Sequence, residues 1–306
     1  MSDFVKQNSS ISNFNTANSW VILSPIEQSI KAKIEKMGKP LKEWDINIYR
    51  GVLTGFNDAF IISGEKKQEI LNNCKTETER KKTDELIRPI LRGRDIKRYS
   101  YNWNDLWLIY IPWHFPLHKD PTIQGASDRA ENEFQKLFPS VYSHLLQYKK
   151  ELSSRNKAET GIRYEWYAMQ RWGANYTDDF NKPKIIFQEI VQESQFMIDL
   201  KGEFLCNDTC RIITGKQIIF LLGIMNSKLF FFAVKHFYGG GGLGEYGVRM
   251  KHTFFENFCC VSEDLSFTKL INEKLNGADV TEKEINRKVY EFYGLSEDEI
   301  HYIEEN

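Results

Sequence analysis

Apolar and polar positions recur at regular spacings along most of this chain. Residues 25–37, PIEQSIKAKIEKM, place Ile26, Ile30 and Ile34 at i, i+4 and i+8, the spacing that gathers apolar side chains on one helical face. Ser24 is a suitable N-cap and Gly38-Lys39-Pro40 a stop, so an amphipathic helix is predicted there. Two apolar runs, 46–52 and 59–62, flank the polar break at Thr54-Gly55 and Asn57-Asp58 and predict strands around a turn. Residues 65–73 predict a short helix, 75–82 a charged loop, and 106–111 a strand ended by Pro112. The pattern over 128–152 is helical. Pro139 divides it, because proline lacks an amide hydrogen and its ring clashes with the preceding turn.

Beyond residue 160 the character changes. Tyr164, Trp166, Tyr167, Trp172 and Tyr176 crowd among Arg163 and Arg171, and KPKIIFQEIV, QFMIDL and FLCNDTCRIIT predict three strands separated by turn residues. The apolar run 218–234 is interrupted by Asn226, Ser227 and Lys228. It falls short of the roughly 18–20 apolar residues of a bilayer span and predicts a buried helix, with no membrane association. A glycine cluster and VRMKHTFFENFCCV follow, and the spacing of Val289, Tyr290, Phe292, Tyr293, Leu295 and Ile300 predicts a closing helix pair. The expected fold is α+β, a mixed β-sheet region with packed helices and a C-terminal helical segment. The expected divisions are a flexible N-terminus over 1–18, a first lobe over 19–160, a second α/β lobe over 161–262 and an acidic helical segment over 263–306.

Composition sharpens this reading in three places. With 306 residues, 41% apolar and 14% aromatic, the chain can bury a core split in two. Its five cysteines, Cys74, Cys206, Cys210, Cys259 and Cys260, follow no disulfide pattern, and the first 18 residues lack the basic start and apolar core of a secretion signal. Reduced thiols in a cytoplasmic protein are expected. The net charge of −1 is uneven: residues 263–306 hold 12 acids and five bases, a balance of −7, which leaves +6 for the remainder. A positive body of that kind permits phosphate binding on one face, as it permits an ordinary solvated surface.

Several motifs carry possible chemistry. Gly242-x-Gly244-x-x-Gly247 matches a dinucleotide fingerprint but follows an apolar helix where the fingerprint requires a strand. A glycine loop beside Arg249 and Lys251, or a plain connector, accounts for it as well. Asp84 with Asp95-Ile96-Lys97 mimics the acid, spacer, acid-x-Lys order of metal-dependent nucleases; an internal salt bridge of Asp95 with its cationic neighbours is the alternative. His114-x3-His118 lacks a helical setting, and Cys206-x3-Cys210 with His236 or His252 fits no common zinc spacing. Gly-x-Ser-x-Gly and Walker sequences do not occur. Residues 88–98 hold five cations against the single Asp95, and Arg163, Trp166, Gln170, Arg171 and Trp172 fall within ten residues. Arginine can fork onto guanine or phosphate, glutamine can pair with adenine, and tryptophan can stack or support a loop; core tryptophans with solvated arginines give the same pattern.

The order of segments resembles the C-terminal specificity region of Taq-type adenine DNA methyltransferases and type IIG restriction-modification enzymes. The matching stretches are WVILSPIEQSIKAKIEKMGKPLKEWDINIYRGVLTGFNDAFII, IRPILRGRDIKRY, KPKIIFQEI, LLGIMNSKLFFFAVKHF, YGVRMKHTFFENF and INRKVYEFYGLSEDEIHYIEE, in the family's order across most of residues 20–305. The resemblance implies a target recognition domain that reads double-stranded DNA while a separate methyltransferase or nuclease domain or subunit acts on it. The methyltransferase's Asn-Pro-Pro-aromatic loop is absent, since no Pro-Pro pair occurs, and ENFCCV stands where the family places a proline after ENL. The chain is therefore expected to be the specificity portion, non-catalytic alone and without a cofactor. S-adenosylmethionine and Mg²⁺ are expected only in the partner catalytic domains. Carried onto this sequence, Thr54, Gly55 and Asn57 form a turn near the duplex. Arg92, Arg94, Lys97 and Arg98 contact phosphate, Arg163, Gln170 and Arg171 read bases, and Arg249 with Lys251 clamps the backbone. A nuclease using Asp84, Asp95 and Lys97, or a protein-interaction module, remains the alternative.

Overall fold

The structure, a computed structural model, describes residues 23–241, 243–244 and 247–306. The fold is α+β and divides into two compact units, one formed by Asn47–Gln188 with Met197–Thr214, the other by the described residues up to Ile46 with Glu189–Phe196 and Gly215–Asn306. Position 160, where the sequence suggests a division, lies inside the first unit, and the residues proposed as a flexible N-terminus, 1–18, lie outside those described.

In the first unit, short β-branched runs pair into two four-stranded sheets. One has the order Ile46–Arg50, Cys210–Gly215, Lys184–Gln188, Phe196–Asp199, with Cys210 antiparallel to Gln188 and Ile213 to Ile185. The other has the order Ile61–Ser63, Leu106–Ile109, Ile87–Leu91, Leu205–Cys206; its first two pairings are antiparallel and the last parallel. A parallel pairing requires a long crossover, and here the chain between Leu91 and Leu205 supplies it. Phe60, Ile90, Leu108, Ile109, Phe134, Tyr167 and Leu205 share one buried core.

That core also contains an ion pair between neighbouring strands. Lys184, fully buried, donates to Asp199 Oδ2 at 2.6 Å and to Phe180 O at 2.8 Å, and Asp199 accepts from the amides of Phe204 at 2.9 Å and Glu203 at 3.2 Å. Burial pulls the lysine pKa down, and the adjacent carboxylate opposes that shift.

Two local expectations are corrected here. Asn57–Phe60 is one helical turn, because Thr54 Oγ1 accepts from Phe56 N at 3.2 Å and donates to Asn57 Oδ1 at 2.6 Å; such short side-chain bonds compete with an extended backbone. The expected charged loop is the helix Glu77–Leu86. Thr76 caps it by accepting from Glu79 N at 3.1 Å, and Glu79 Oε1 accepts from Ser140 N and Oγ. So few apolar residues face its core that no periodicity shows. Proline division holds as expected: Asp128–Leu137 ends before Pro139–Leu146 begins.

The second unit is mainly helical. Pro25–Met37 starts with a reciprocal cap in which Ser24 N donates to Glu27 Oε2 at 2.7 Å and Glu27 N to Ser24 Oγ at 3.4 Å, and it buries Ile30 and Ile34. The apolar run forms two helices, Ile218–Met225 and Lys228–His236, bent by 67°. Ser227 caps the second, while the Asn226 amide bonds both backbone groups of Phe196, which fixes the break. No single helix among the described residues is long and apolar enough to cross a membrane. The C-terminal segment has three helices where two were expected, Leu265–Leu275, Glu282–Phe292 and Glu297–Glu305, the last begun by a capping box at Ser296 and Glu299.

Removing Asp199 leaves the Lys184 ammonium buried beside one carbonyl. Asp199→Ala should lower unfolding free energy in urea by about 3–5 kcal/mol, and Lys184→Met with Asp199→Leu should recover most of it. A loss below 1 kcal/mol, on the order of an exposed pair, would show that the charges do not share a dry site.

Candidate nucleic-acid interface

Four segments remote in sequence lie side by side in the first unit. Leu53 and Arg171 exchange backbone bonds at 2.9 Å in each direction, and Gln170 N donates to Thr54 O at 3.4 Å. On the other side, Val52 N donates to Cys206 O at 2.8 Å and Asn207 N to Leu91 O at 3.1 Å. Gly93 N then donates to Thr209 Oγ1 at 3.1 Å. The order 170–171, 52–54, 206–209, 91–93 therefore joins the glycine turn, the aromatic segment and the cationic segment through one backbone network.

Gly55 has φ +78°, the backbone region that favours glycine, and a Cβ there would also stand 2.7 Å from Gln170 Oε1 and 3.0 Å from Arg155 Cδ, so those side chains would have to shift. Arg155 braces this turn. Its guanidinium donates to the carbonyl oxygens of Thr54, Trp166 and Ala168, the Trp166 bond at 2.9 Å, and lies 5.5 and 5.7 Å from the ring centres of Phe60 and Tyr164. Burial pulls its pKa down to about 10, so it remains a cation at neutral pH.

Beside the turn, one carboxylate organises two arginines. Arg171 donates from Nη1 to Glu159 Oε2 at 2.9 Å and from Nη2 to Oε1 at 3.1 Å, and Arg163 Nη1 donates to Oε1 at 2.9 Å. Hydrogen bonding from Arg171, with the charges of both arginines, holds the Glu159 pKa below the usual carboxylate range. Arg163 and Arg171 also lie 5.4 and 5.9 Å from the ring centre of Trp113. Trp113 stacks on Tyr164 at 4.8 Å and donates to Met169 O at 2.8 Å, which fixes the platform. Because Arg171 Nη1 gives its other proton to Gln170 O at 2.7 Å, the edge formed by Nε and the second Nη2 proton has no partner among the described residues. That edge is a two-pronged donor, and the Arg171 side chain is 49% exposed.

The cationic segment separates into internal and displayed charges. Arg92 donates from Nε and Nη2 to Asp95 at 3.0 Å each, its backbone amide adds a bond at 2.8 Å, and Asn104 Nδ2 donates to Asp95 at 3.0 Å. Burial pushes the Asp95 pKa up, but these donors outweigh it and the net shift is downward. Arg94 is exposed and Lys97 half-buried. With Asn102 and Asn104 they line an open pocket of about 470 Å³. Arg98 is half-buried in the same loop.

The structure thus places the sequence candidates unequally. Thr54 is buried and shapes its turn, Gly55 is half-buried, and Asn57 is exposed. Arg92 is tied internally, whereas Arg94, Lys97, Arg163, Gln170 and Arg171 reach the surface fully or in part. Arg249 and Lys251 belong to the other unit, Arg249 in a short strand paired with Ile190–Val191 and Lys251 5.8 Å from the Phe254 ring. Of the proposed nuclease residues, Asp84 pairs with Lys67 at 2.7 Å and Asp95 with Arg92. Among the described residues, no group of three or more His, Cys, Asp or Glu could hold a metal ion. His114 Nδ1 lies 3.0 Å from Glu165, and Cys206 and Cys210 are buried, with a hydrogen bond between them and burial pushing the Cys210 thiol up. The dinucleotide fingerprint lies partly outside the described residues, at Gly242.

Sequence reasoning missed Arg155, Glu159, Trp113 and Asn104. Only Glu159 left a signal, its spacing of four from Arg163.

Residues 88–242, about half of the chain, match the family described as the TaqI-like C-terminal specificity domain. The match includes Arg94, Lys97, Arg155, Glu159, Arg163 and Arg171 but not the Thr54 turn. Among solved structures, the chain is similar to MmeI, described as a type IIL restriction-modification enzyme in complex with DNA, with 11% identity and a TM-score of 0.53, over 87% of this chain and 35% of that one. It is also similar to the type IIG restriction endonuclease BpuSI, with 13% identity and a TM-score of 0.50, over 90% of this chain and 32% of that one. The chain spans about a third of the length of these structures, and the likeness is one of fold.

Arg155→Ala should accelerate amide exchange at Leu53, Gln170 and Arg171 by roughly ten-fold, the equivalent of one charged hydrogen bond, while Phe204 keeps its rate. Equal acceleration at all four amides would show that Arg155 does not act locally. For Asp95 the folded pKa is lowered, so its stabilisation is complete above the unfolded value and is lost as pH falls through the folded one. Below about pH 4, wild-type stability should therefore decline more steeply than that of Asp95→Asn in acid unfolding titrations.

Proposed function

Because the chain belongs to the TaqI-like C-terminal specificity domain family, we propose that it reads a short sequence of double-stranded DNA for a restriction-modification system. The observation that carries this reading is the unpartnered two-pronged edge of Arg171, held by Glu159 and Trp113 beside the Thr54-Gly55 turn. An arginine edge fixed in orientation matches the O6 and N7 acceptors of guanine in the major groove. A neutral binding surface has no use for a guanidinium oriented by a carboxylate and an aromatic ring. Gln170, next in the chain, presents an amide suited to adenine, and Arg94 and Lys97 supply phosphate contacts that set register without reading sequence.

The reaction belongs to a partner domain or subunit, a methyltransferase acting on adenine, a nuclease, or both. S-adenosylmethionine and Mg²⁺ would be held there. This chain contributes the choice of site, and Arg249 and Lys251 add backbone contacts.

Duplex binding by the whole chain, measured across salt concentrations, tests this reading. Log affinity should fall linearly with log salt, and Arg94→Gln and Lys97→Gln should each reduce the slope by about 1. Arg171→Ala should cost about 1–3 kcal/mol on the preferred sequence and relax selection at one base pair. Binding that is absent or insensitive to salt, both alone and with the partner enzyme, overturns the proposal.

A further inference from the structure

Ile162 is an apolar side chain held in solvent by a turn that cannot fold it away. It is 61% exposed, although its neighbours are fixed. Gly161 adopts φ +76°, in open space where no atom would meet a Cβ. The amides of Ile162 and Arg163 donate to Glu159 O at 3.1 and 2.7 Å, Gly161 N donates to Tyr164 O at 2.8 Å, and Ile162 O accepts from Ala126 N at 3.0 Å. Tyr164, the next anchor, is fully buried and receives a hydrogen bond from Thr160 Oγ1 at 3.1 Å. The same turn carries Glu159, which holds Arg171 through Nη1 and Nη2, so this isoleucine sits on the turn that orients that arginine.

We propose that Ile162 is a specificity-determining residue that packs on the 5-methyl group of a thymine in the major groove, adjacent to the guanine read by Arg171. The inference rests on the DNA-reading function proposed above. Thymine alone among the four unmodified bases presents a methyl group in that groove, and apolar contact is the way side chains recognise it. A β-branched side chain is stiff at χ1 and keeps its surface in place.

The test uses the full chain and a pool of randomised duplexes. The motif selected by the wild type is resynthesised with deoxyuridine at each thymine in turn, which removes only the methyl group. One such change should weaken wild-type binding about four-fold, the worth of a buried methyl. Ile162→Ala should bind the thymine and deoxyuridine duplexes equally while keeping the wild-type salt slope and thermal unfolding. If no deoxyuridine weakens the wild type, or if the loss persists in Ile162→Ala, the inference falls and the DNA-reading function stands. If the wild type selects no motif, both fall together.

Discussion

The Arg155 guanidinium meets no carboxylate among the described residues; it holds three backbone carbonyl oxygens, from Thr54, Trp166 and Ala168. A half-buried cation would ordinarily be costly, and here carbonyl dipoles and the faces of Phe60 and Tyr164 replace much of its water. The consequence is geometric. The glycine turn cannot move away from the aromatic segment without uncovering a desolvated charge, so Leu53 stays paired with Arg171 and Gly55 stays against Gln170. The candidate readers are thereby mounted on a frame rather than on independent loops.

A second division of labour follows the same logic. In the cationic segment, Arg92 is bound to Asp95 and Asn104 completes that carboxylate, leaving Arg94 and Lys97 at the pocket's rim. In the aromatic segment, Glu159 takes one edge of Arg171 and leaves the other. In both places an anion orients cations without cancelling the whole group, and the acid-x-Lys pattern around Asp95 has a structural explanation. Orientation matters because a two-pronged donor discriminates between bases only when its plane is fixed before the duplex arrives.

Helices were the most legible part of the fold. The spacing of Ile30 and Ile34, the Ser24 cap and the Pro139 division each act within a few residues, so the sequence reveals them directly. The helix Glu77–Leu86 was hidden because its stabilising groups are a cap and a long-range bond from Glu79 to Ser140 rather than an apolar stripe. The strand expected at 59–62 lost its first half to the turn bonded by Thr54 and Asn57. A boundary at 160 followed a shift in composition, whereas the compact units are discontinuous in sequence.

By itself, the sequence determined the α+β character, most element positions, the family resemblance and the inventory of arginines, lysines and aromatics from which an interface could be made. Those properties depend on neighbouring residues or on ordered segments, both of which survive in a linear string. Only the tertiary structure decided which cations are displayed and which are internal. Arg155 meets Thr54 across 101 positions, and Arg171 meets Glu159 across 12. Charge in a sequence is a count, while availability depends on long-range partners, and those are set by how the chain closes on itself.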